Sequence, residues 1–333
     1  MLKLALIGLG YWGRNYLRVL KQIPDVNLAY VYDTDQNKLL RSKDVIARSL
    51  EEIIEDKEIN AVIIATPAST HYEIGKKLIE SNKHVLIEKP LTMKYEEALE
   101  LAKLAKIKNR VLMVGHIYCY NSAINYMKEI IKEERLGKLY YGFGLRCGFG
   151  PIRYDASCTW DLATHDLAML DYLLEDFPIE IQASATYFLR KGVYDYANIN
   201  LSYENGFIFN LTVSWYAAEK IRSWYLIGSE RMLKFDDTNK NNPIVIYNKR
   251  VKEEKLGEYS EIKMLESEAV IPYINYEEPL LLQVMHFLEC IKENKKPLSD
   301  ARQGARIVKL LELIDEAILK GERIKISKDN VEQ

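Results

Sequence analysis

The chain has few of the features that characterise disulfide-rich, nucleic-acid-binding or membrane-spanning proteins. Its 333 residues carry a formal net charge of only -2, so no excess of positive charge would attract nucleic acid or an anionic membrane. No apolar stretch reaches the roughly 18 residues that a membrane-spanning helix needs. The four cysteines lie far apart and lack the spacing of a metal site: Cys119, Cys147, Cys158 and Cys290. We therefore expect reduced thiols, no bound metal, and neither nucleic acid nor membrane as a partner.

A signal-peptide pattern and a low-complexity linker are also lacking. A strand-like segment begins directly after Met1 and leaves no room for a cleavable leader, so we expect a cytoplasmic protein. The 48% hydrophobic content is typical of a globular protein, and the length allows two domains with a substantial core. The pattern of apolar residues changes near residue 118, which predicts one domain over residues 1–118 and a second over residues 119–333.

The first domain alternates between short apolar strands and amphipathic helices. Segments such as Tyr72–Glu80 and Tyr95–Lys106 repeat apolar residues at helical spacing. Alternation of this kind predicts an α/β domain in which helices cover both faces of a parallel sheet. The predicted strands are Leu2–Ile7, Val26–Tyr32, Ala61–Ala65, His84–Ile87 and Val111–Gly115.

Long strands dominate the second domain. Asn205-Gly206 lies between two of them and predicts a hairpin, because both residues tolerate positive φ. The domain is therefore predicted to be α+β with a large, mostly antiparallel sheet. Its predicted strands are Leu139–Arg146, Ile179–Phe188, Tyr196–Tyr203, Phe207–Trp215 and Trp224–Phe235. Further helices are predicted at Ser122–Lys132, at Pro279–Ile291, and from a cap at Asp300 and Gln303 to about Lys320, before Gly321.

A glycine-rich loop with the sequence GLGYWG joins the first strand to a helix. Gly8 allows a tight turn, Gly10 lets the backbone approach a pyrophosphate, and Gly13 lets the helix pack closely on the strand. The amide groups at the start of the helix, at Tyr11 and Trp12, would then point at the phosphates. The loop predicts a dinucleotide-binding Rossmann domain.

Asp33 follows about 20 residues later, at the end of the second strand. A carboxylate at this place accepts a hydrogen bond from the ribose 2′-hydroxyl and repels a 2′-phosphate, which favours NAD over NADP as the cofactor. The alternative role for Asp33 is that of an ordinary helix N-cap. Lys38 and Arg41 lie nearby and leave the strictness of the NAD preference open.

Two further loops follow strands of the first domain. Thr66-Pro67 ends the third strand and His71 follows, so this loop either crosses the nicotinamide side of the cofactor or only leads into a helix. Glu88-Lys89-Pro90 ends the fourth strand, because proline cannot continue the hydrogen-bonded ladder. We therefore expect Lys89 at the carboxyl edge of the sheet, where open α/β folds bind ligands. A solvated loop lysine is the alternative.

An acid and a histidine lie one helical turn apart in the second domain. Asp161 and His165 belong to a predicted helix, Trp160–Leu174, and project from the same face of it. A histidine can take a hydroxyl proton and a carboxylate can orient it, although a surface ion pair is the alternative. Asp166 also adjoins His165, and the sequence does not decide which acid contacts it. The predicted buried stripe of this helix is Leu162, Met169, Leu170, Leu173 and Leu174.

The order of these elements resembles the Gfo/Idh/MocA oxidoreductase family over essentially the whole chain. The glycine-rich loop, Thr66-Pro67 with His71, Glu88-Lys89-Pro90 and the Asp161/His165 pair all match the order in that family. Later segments resemble a branch of nucleotide-sugar 3-dehydrogenases that act on UDP-N-acetylglucosamine or its uronic acid. These segments are Gly150–Arg153, Trp160–Asp166, Ser214-Trp215, Lys220–Arg222 and Glu278–Leu280 with His286-Phe287.

The resemblance implies bound NAD, a second domain with an open-faced sheet, and a catalytic lysine–histidine pair. Thr164 and the segment Gly115–Asn121 depart from the pattern of the branch near the expected substrate. Cofactor contacts are implied for Gly8, Gly10, Tyr11, Trp12, Gly13, Asp33, Thr66, Pro67, His71, Glu88 and Lys89. Substrate contacts are implied for Lys89, Tyr118, Arg153, Trp160, Asp161 and His165.

The expected activity is hydride transfer between NAD and a secondary hydroxyl of a sugar. Lys89 would stabilise the developing alkoxide, and His165, oriented by Asp161, would take the proton; direct proton transfer by Lys89 is the alternative. A dehydrogenase of a free sugar or polyol and a non-catalytic NAD-binding sensor are the rival functions. A homodimer or homotetramer is expected through an exposed aromatic face of the second sheet. The residues expected on that face are Tyr203, Phe207, Phe209 and Trp215.

Overall fold

A computed structural model describes residues 1–39, 46–47, 49–150, 152, 156–256 and 259–327. Arg41 and Arg153, both named above, lie outside these ranges. The chain divides into two compact units: Met1–Tyr120 with Glu277–Leu310, and Asn121–Tyr276 with Leu311–Gln333. Within the described ranges, no helix combines the length and the apolar character that crossing a membrane requires.

The first unit contains a five-stranded parallel sheet with the strand order β2-β1-β3-β4-β5, as the alternation of strands and helices predicts. The central strands are almost entirely buried, as expected for a parallel sheet between helices, whereas the edge strand that contains Val26–Tyr32 is mostly half-buried. The strands are β1 (Leu2–Ile7), β2 (Val26–Tyr32), β3 (Ala61–Ile64), β4 (His84–Ile87) and β5 (Leu112–Val114). The helices are α1 (Tyr11–Leu20), α2 (Gln36–Leu39), α3 (Leu50–Glu55), α4 (His71–Glu80) and α5 (Tyr95–Lys108), with short 3₁₀ turns at Ala68–Thr70 and Ile117–Tyr120.

The second unit contains an eight-stranded sheet in which β6 and β9 are parallel and all other neighbours are antiparallel. The order of its strands is β12-β11-β10-β6-β9-β8-β7-β15. Its elements in chain order are α6 (Ser122–Lys132), β6 (Leu139–Cys147), a π-helical turn (Thr159–Ala163), α7 (Thr164–Leu174), β7 (Glu180–Thr186), β8 (Tyr196–Ser202), β9 (Ile208–Ser214), β10 (Ile221–Gly228), β11 (Met232–Asp236) and β12 (Ile244–Tyr247). A separate hairpin follows, formed by β13 (Lys249–Leu256) and β14 (Tyr259–Glu266).

The last part of the chain returns to the first unit before it ends in the second. The remaining elements are α8 (Pro279–Glu293), α9 (Ala301–Lys320) and β15 (Ile324–Lys325). Helix α8 packs against α1 and the 3₁₀ turn Ile117–Tyr120, so it belongs to the first unit, and the division falls within α9. The sequence-based division placed all of this segment with the second domain. The predicted ends of α9 are confirmed, since Asp300 accepts from the Gln303 amide and Gly321 adopts φ +66°.

Of two turns in the second unit, the sequence predicted one and missed the other. The predicted hairpin is confirmed: Gly206 adopts φ +85°, and the side chain of Asn205 accepts from the amide of Phe207. The single strand predicted over Trp224–Phe235 is wrong, because the chain reverses after Gly228 and forms the antiparallel pair β10–β11.

The aromatic face predicted for the second sheet is also wrong in its residues. Tyr203, Phe207, Phe209 and Trp215 are all buried. In a strand, neighbouring side chains point to opposite faces, so the buried Phe209 implies that Ile208 faces the other way. The opposite, exposed face carries Tyr141, Phe143 and Ile208, with Tyr141 and Ile208 side by side on β6 and β9.

Candidate functional site

The glycine-rich loop of the first unit has the geometry that close backbone packing requires. Gly8 adopts φ +95°, and a Cβ at Gly13 would lie 1.8 Å from the Gly8 carbonyl oxygen. A side chain is therefore excluded at both positions. A Cβ at Gly10, in contrast, would meet no atom within 4 Å in the described residues, so the backbone at Gly10 is open to a ligand.

Helix α1 begins directly after this loop. Gly10 is its N-cap residue and supplies no side-chain cap, and no acidic side chain lies in the first turn. The first amide groups, at Tyr11, Trp12 and Gly13, are therefore suited to a phosphate, which the positive end of the helix dipole also favours. Tyr11 is exposed, and its ring contacts that of Trp12 edge to face.

Asp33, which follows the end of β2, is buried and connects to the glycine-rich loop. Its Oδ2 accepts from the Leu9 amide at 2.7 Å, and its Oδ1 accepts from the Asp35 amide at 2.8 Å. Burial alone would raise the pKa of Asp33, but these amides and the nearby Lys38 outweigh it and lower the pKa. The side chain that caps the start of α2 is Asp35, whose Oδ1 accepts from the Asn37 amide at 3.0 Å. Asp33 is thus a charged carboxylate beside the loop.

His71 connects the two loops that follow β3 and β4. Its Nε2 lies 3.0 Å from the Thr66 carbonyl oxygen, and its Nδ1 lies 2.8 Å from that of Pro90. The buried ring therefore holds the Thr66-Pro67 loop against the Lys89-Pro90 loop. The contacts of His71 are thus with backbone carbonyl groups of both predicted cofactor loops.

Glu88 belongs to a buried chain of hydrogen bonds that the sequence did not reveal. Its Oε1 accepts from the Tyr16 hydroxyl at 2.7 Å, and that hydroxyl accepts from Gln283 Nε2 at 2.7 Å. Burial, and then the charge of Glu88, raises the pKa of Tyr16 well above its usual value. This chain ties the loop after β4 to helices α1 and α8. A glutamine within an apolar helix stripe was the only signal for it.

Lys89 lies at the carboxyl edge of the sheet, directly after β4, and is 6% exposed. The peptide bond between Lys89 and Pro90 is cis.

His116 follows β5 at the same edge and is also buried. Burial, and then the charge of Lys89, lowers the pKa of His116 to about 3, so this ring is neutral near pH 7. The sequence-predicted contact residues do not include His116, which the structure places near Lys89 at this edge; its position just after a strand was a usable signal. Tyr118, in the 3₁₀ turn that follows, is buried.

In the second unit, Asp161 and His165 lie at the junction of the π-helical turn and α7, and both are half-buried. The Oδ2 of Asp161 accepts from Trp215 Nε1 at 3.1 Å. The π-helical turn shifts the buried stripe predicted for this helix: Leu167 is buried, whereas Leu162 and Leu174 are only half-buried. Single π-helical turns are frequent at functional sites.

Two neighbours of this pair have structural partners. Asp166 is buried and accepts from Arg146 at 2.5 Å and from Trp224 Nε1 at 2.7 Å. Asp166, the second acid beside His165, is therefore part of a buried ion pair. Trp160, predicted to contact substrate, is also buried and donates through Nε1 to Asp315 at 2.7 Å. Burial raises the pKa of Asp315, and this hydrogen bond, which by itself would lower the pKa, only partly offsets the effect. The described residues contain no group of three or more side chains suited to a metal ion.

Comparison with known families identifies the class of protein. An oxidoreductase family profile with an NAD-binding Rossmann fold matches residues 2–116, and the GFO/IDH/MocA C-terminal domain matches residues 124–234. Together the two matches span more than half of the chain. The chain therefore belongs to the Gfo/Idh/MocA family of NAD-binding oxidoreductases. The open backbone at Gly10 and the uncapped start of α1 fit this cofactor.

Particular relatives differ in what they act on. The chain is 26% identical to the UDP-N-acetylglucosamine 3-dehydrogenase of Acidithiobacillus ferrooxidans, over 92% of this chain and 94% of that protein. It is 25% identical to the scyllo-inositol 2-dehydrogenase (NAD(+)) of Bacillus subtilis, over 88% and 87%. The solved structure of GenD2 from gentamicin A biosynthesis, in complex with NAD, superposes with a TM-score of 0.81 over 98% of this chain and 96% of that one, at 20% identity. Other matches are shorter, such as one that covers 41% of an uncharacterised oxidoreductase of Streptococcus pneumoniae at 28% identity.

Proposed function

We propose that the protein transfers a hydride between NAD and C3 of a UDP-N-acetylhexosamine or its uronic acid. Bound NAD would accept or supply the hydride. The observation that carries the proposal is the placement of Lys89, a buried cation fixed to the cofactor loops from two sides. Glu88 ties its loop to α1 through Tyr16, and His71 ties it to the Thr66 loop. A cation held in this way is preorganised to stabilise an alkoxide as it forms.

The proposed roles of the other residues follow from their chemistry. His165 would take the hydroxyl proton, and Asp161 would orient it; a positioned base contributes roughly 10²–10⁴-fold to a rate. Neutral His116 beside Lys89 adds no second positive charge, so the lysine remains the dominant cation at this edge.

The nucleotide-sugar substrate is supported by the relative that acts on UDP-N-acetylglucosamine, which matches nearly the whole chain. The inositol dehydrogenase matches almost as much of it, so oxidation of a free sugar or polyol is the second candidate. A non-catalytic sensor would bind NAD without turnover.

Single-turnover reduction of bound NAD⁺, followed by absorbance, tests these three functions. UDP-N-acetylglucosamine and its uronic acid should reduce the cofactor, and UDP alone should raise the melting temperature. Reduction by scyllo-inositol without an effect of UDP would favour the polyol dehydrogenase. No reduction by any sugar would overturn both enzyme proposals.

We also propose that a second copy of the chain covers the exposed face of the eight-stranded sheet. Phe143 stacks on Tyr225 at 4.7 Å, next to Tyr141 and Ile208, which forms a contiguous apolar patch. Such a patch suits a two-fold interface, in which the same surface meets itself. Sedimentation at micromolar concentration should show a dimer or larger, and Phe143→Glu should dissociate it. Tyr273→Glu, at an exposed aromatic elsewhere in the unit, is the control; a monomeric unmutated protein contradicts the proposal.

A further inference from the structure

A groove of about 800 Å³ lies in the first unit at the amino-terminal edge of the five-stranded sheet. Leu2 and His84 begin strands β1 and β4, and Asn60 and Arg110 lie just before β3 and β5. Because the strands are parallel, all four positions share one edge. The glycine-rich loop and Lys89 follow the carboxyl ends of the strands, so this groove is separate from the proposed catalytic site.

His84 presents a hydrogen-bond donor at the groove. Its Nδ1 accepts from the backbone amide of Val111 at 2.9 Å, and a backbone amide can only donate. The proton of the neutral ring therefore resides on Nε2. Burial, and then the charge of Arg110, lowers the pKa of His84 to about 4, so the ring is neutral near pH 7.

The guanidinium group of Arg110, which can only donate, lies next to the Nε2 proton of His84. Its Nη1 lies 3.1 Å from Nε2 of His84, and a guanidinium has no acceptor. Its Nε is buried, and no acceptor lies within hydrogen-bond distance of it in the described residues. Such groups are costly unless an acceptor satisfies them. An oxygen-rich anion beside His84 and Arg110 would accept from both side chains.

The remaining lining adds charge and apolar surface. Lys83 is buried, and its ammonium donates to the Asp56 carbonyl oxygen, while Lys57 stands exposed at the rim; Glu55 is the acidic residue of the lining. The apolar lining residues are Leu2, Ile54, Ile59 and Ile291. The groove thus joins a cationic, donor-rich end to apolar surface, and its volume is typical of sites for small molecules.

We propose that this groove binds a small molecule in which a phosphate group is attached to an apolar body. A phosphate has enough oxygens to accept from Nε2 of His84 and from two nitrogens of Arg110 at once, and arginine pairs with phosphate through paired hydrogen bonds. The apolar body would lie along the isoleucines.

Nitrogen-15 NMR of protein labelled at its five histidines tests the proposal, with phenyl phosphate and inorganic phosphate as probes at pH 7.5. His84 should carry its proton on Nε2, and its signals should shift saturably with phenyl phosphate at lower concentration than with inorganic phosphate. His116, at the opposite edge, should not shift, which distinguishes this site from phosphate bound at the glycine-rich loop. Arg110→Gln should weaken phenyl phosphate binding at least ~10-fold, and Arg302→Gln, at an exposed arginine, should not.

Three results would overturn the proposal. They are a proton on Nδ1 of His84, no shift of His84 at millimolar phenyl phosphate, or equal binding by Arg110→Gln. Benzoate binding as tightly as phenyl phosphate would contradict the choice of phosphate. The first two measurements use the unmutated protein, so they stand even if a variant fails to fold.

Discussion

The two edges of the five-stranded sheet carry the same pair of groups, a histidine beside a cation, in different surroundings. At the carboxyl edge His116 lies near Lys89, and at the amino edge His84 lies near Arg110. In both pairs burial is the larger cause and the cation the smaller cause of a lowered histidine pKa, to about 3 and about 4. Both rings are therefore neutral near pH 7.

The difference lies in which groups the neighbouring polar side chains contact. At the carboxyl edge, the Tyr16 hydroxyl donates to Glu88 and accepts from Gln283, although neither ring nitrogen of the buried His116 has a hydrogen-bond partner among the described residues. At the amino edge, His84 and Arg110 present donors to each other. The hydrogen bonds of Tyr16 fix the loop that carries Lys89, whereas two donors that face each other favour an added anion. Burial of a histidine beside a cation therefore does not by itself define a site's function.

The largest expected effect separates the two edges by activity. Lys89→Ala and His165→Ala should each slow single-turnover reduction of NAD⁺ by at least ~10²-fold while NAD still binds, because each removes a group that we propose acts in the transition state. The double variant should be little worse than either single variant, since the proposed mechanism has both groups act on one proton. Arg110→Gln should leave the rate unchanged. Near-normal rates in both single variants would show that the catalytic assignment is wrong.

A smaller change is expected in cofactor choice. NAD should bind more tightly than NADP, and Asp33→Asn should narrow the difference by roughly 10-fold, because it removes the charge that repels a 2′-phosphate but keeps an oxygen for the Leu9 amide. Calorimetric titration measures both affinities. Equal affinities in the unmutated protein would refute the role of Asp33.

Tyr16→Phe should interrupt the buried chain at the carboxyl edge. Removal of the hydroxyl leaves Glu88 and Gln283 without this partner, which should lower the free energy of unfolding by about 1–3 kcal/mol. Arg110→Gln removes a facing donor instead and should not lower it. Urea denaturation measures both variants, and an equal loss in the two would remove the distinction between the edges.

The two buried histidines should also make stability depend on pH. The pKa of His84 is about 4 in the folded chain and about 6.5 when unfolded, so the unfolded state binds more protons between these values. The free energy of unfolding should therefore fall as pH decreases from 6.5 to 4, and His116 should extend the fall to about pH 3. His84→Gln should flatten the upper part of this curve in urea titrations. If His84→Gln leaves the pH dependence of the free energy of unfolding unchanged, the pKa of His84 is not lowered by folding.

Patterns local in sequence predicted much of the fold and part of the site. Strand–helix alternation predicted the parallel sheet, and the turn residue Gly206 predicted the hairpin, because period and backbone preference act over a few residues. Pro90 likewise indicated that Lys89 would follow the end of a strand. The strand break after Gly228 was missed, since apolar residues continue across it.

The sequence by itself determined the dinucleotide loop, the parallel sheet and the position of Lys89 after the fourth strand, since each depends on neighbouring residues. Only the tertiary structure decided which residues of the second sheet are exposed, because a one-residue change of register exchanges its two faces. It also decided the partners of buried polar groups: Tyr16 meets Gln283, and His84 meets Arg110. Such partners are far apart in the chain, and burial, which makes their pairing energetically important, exists only once the chain has folded.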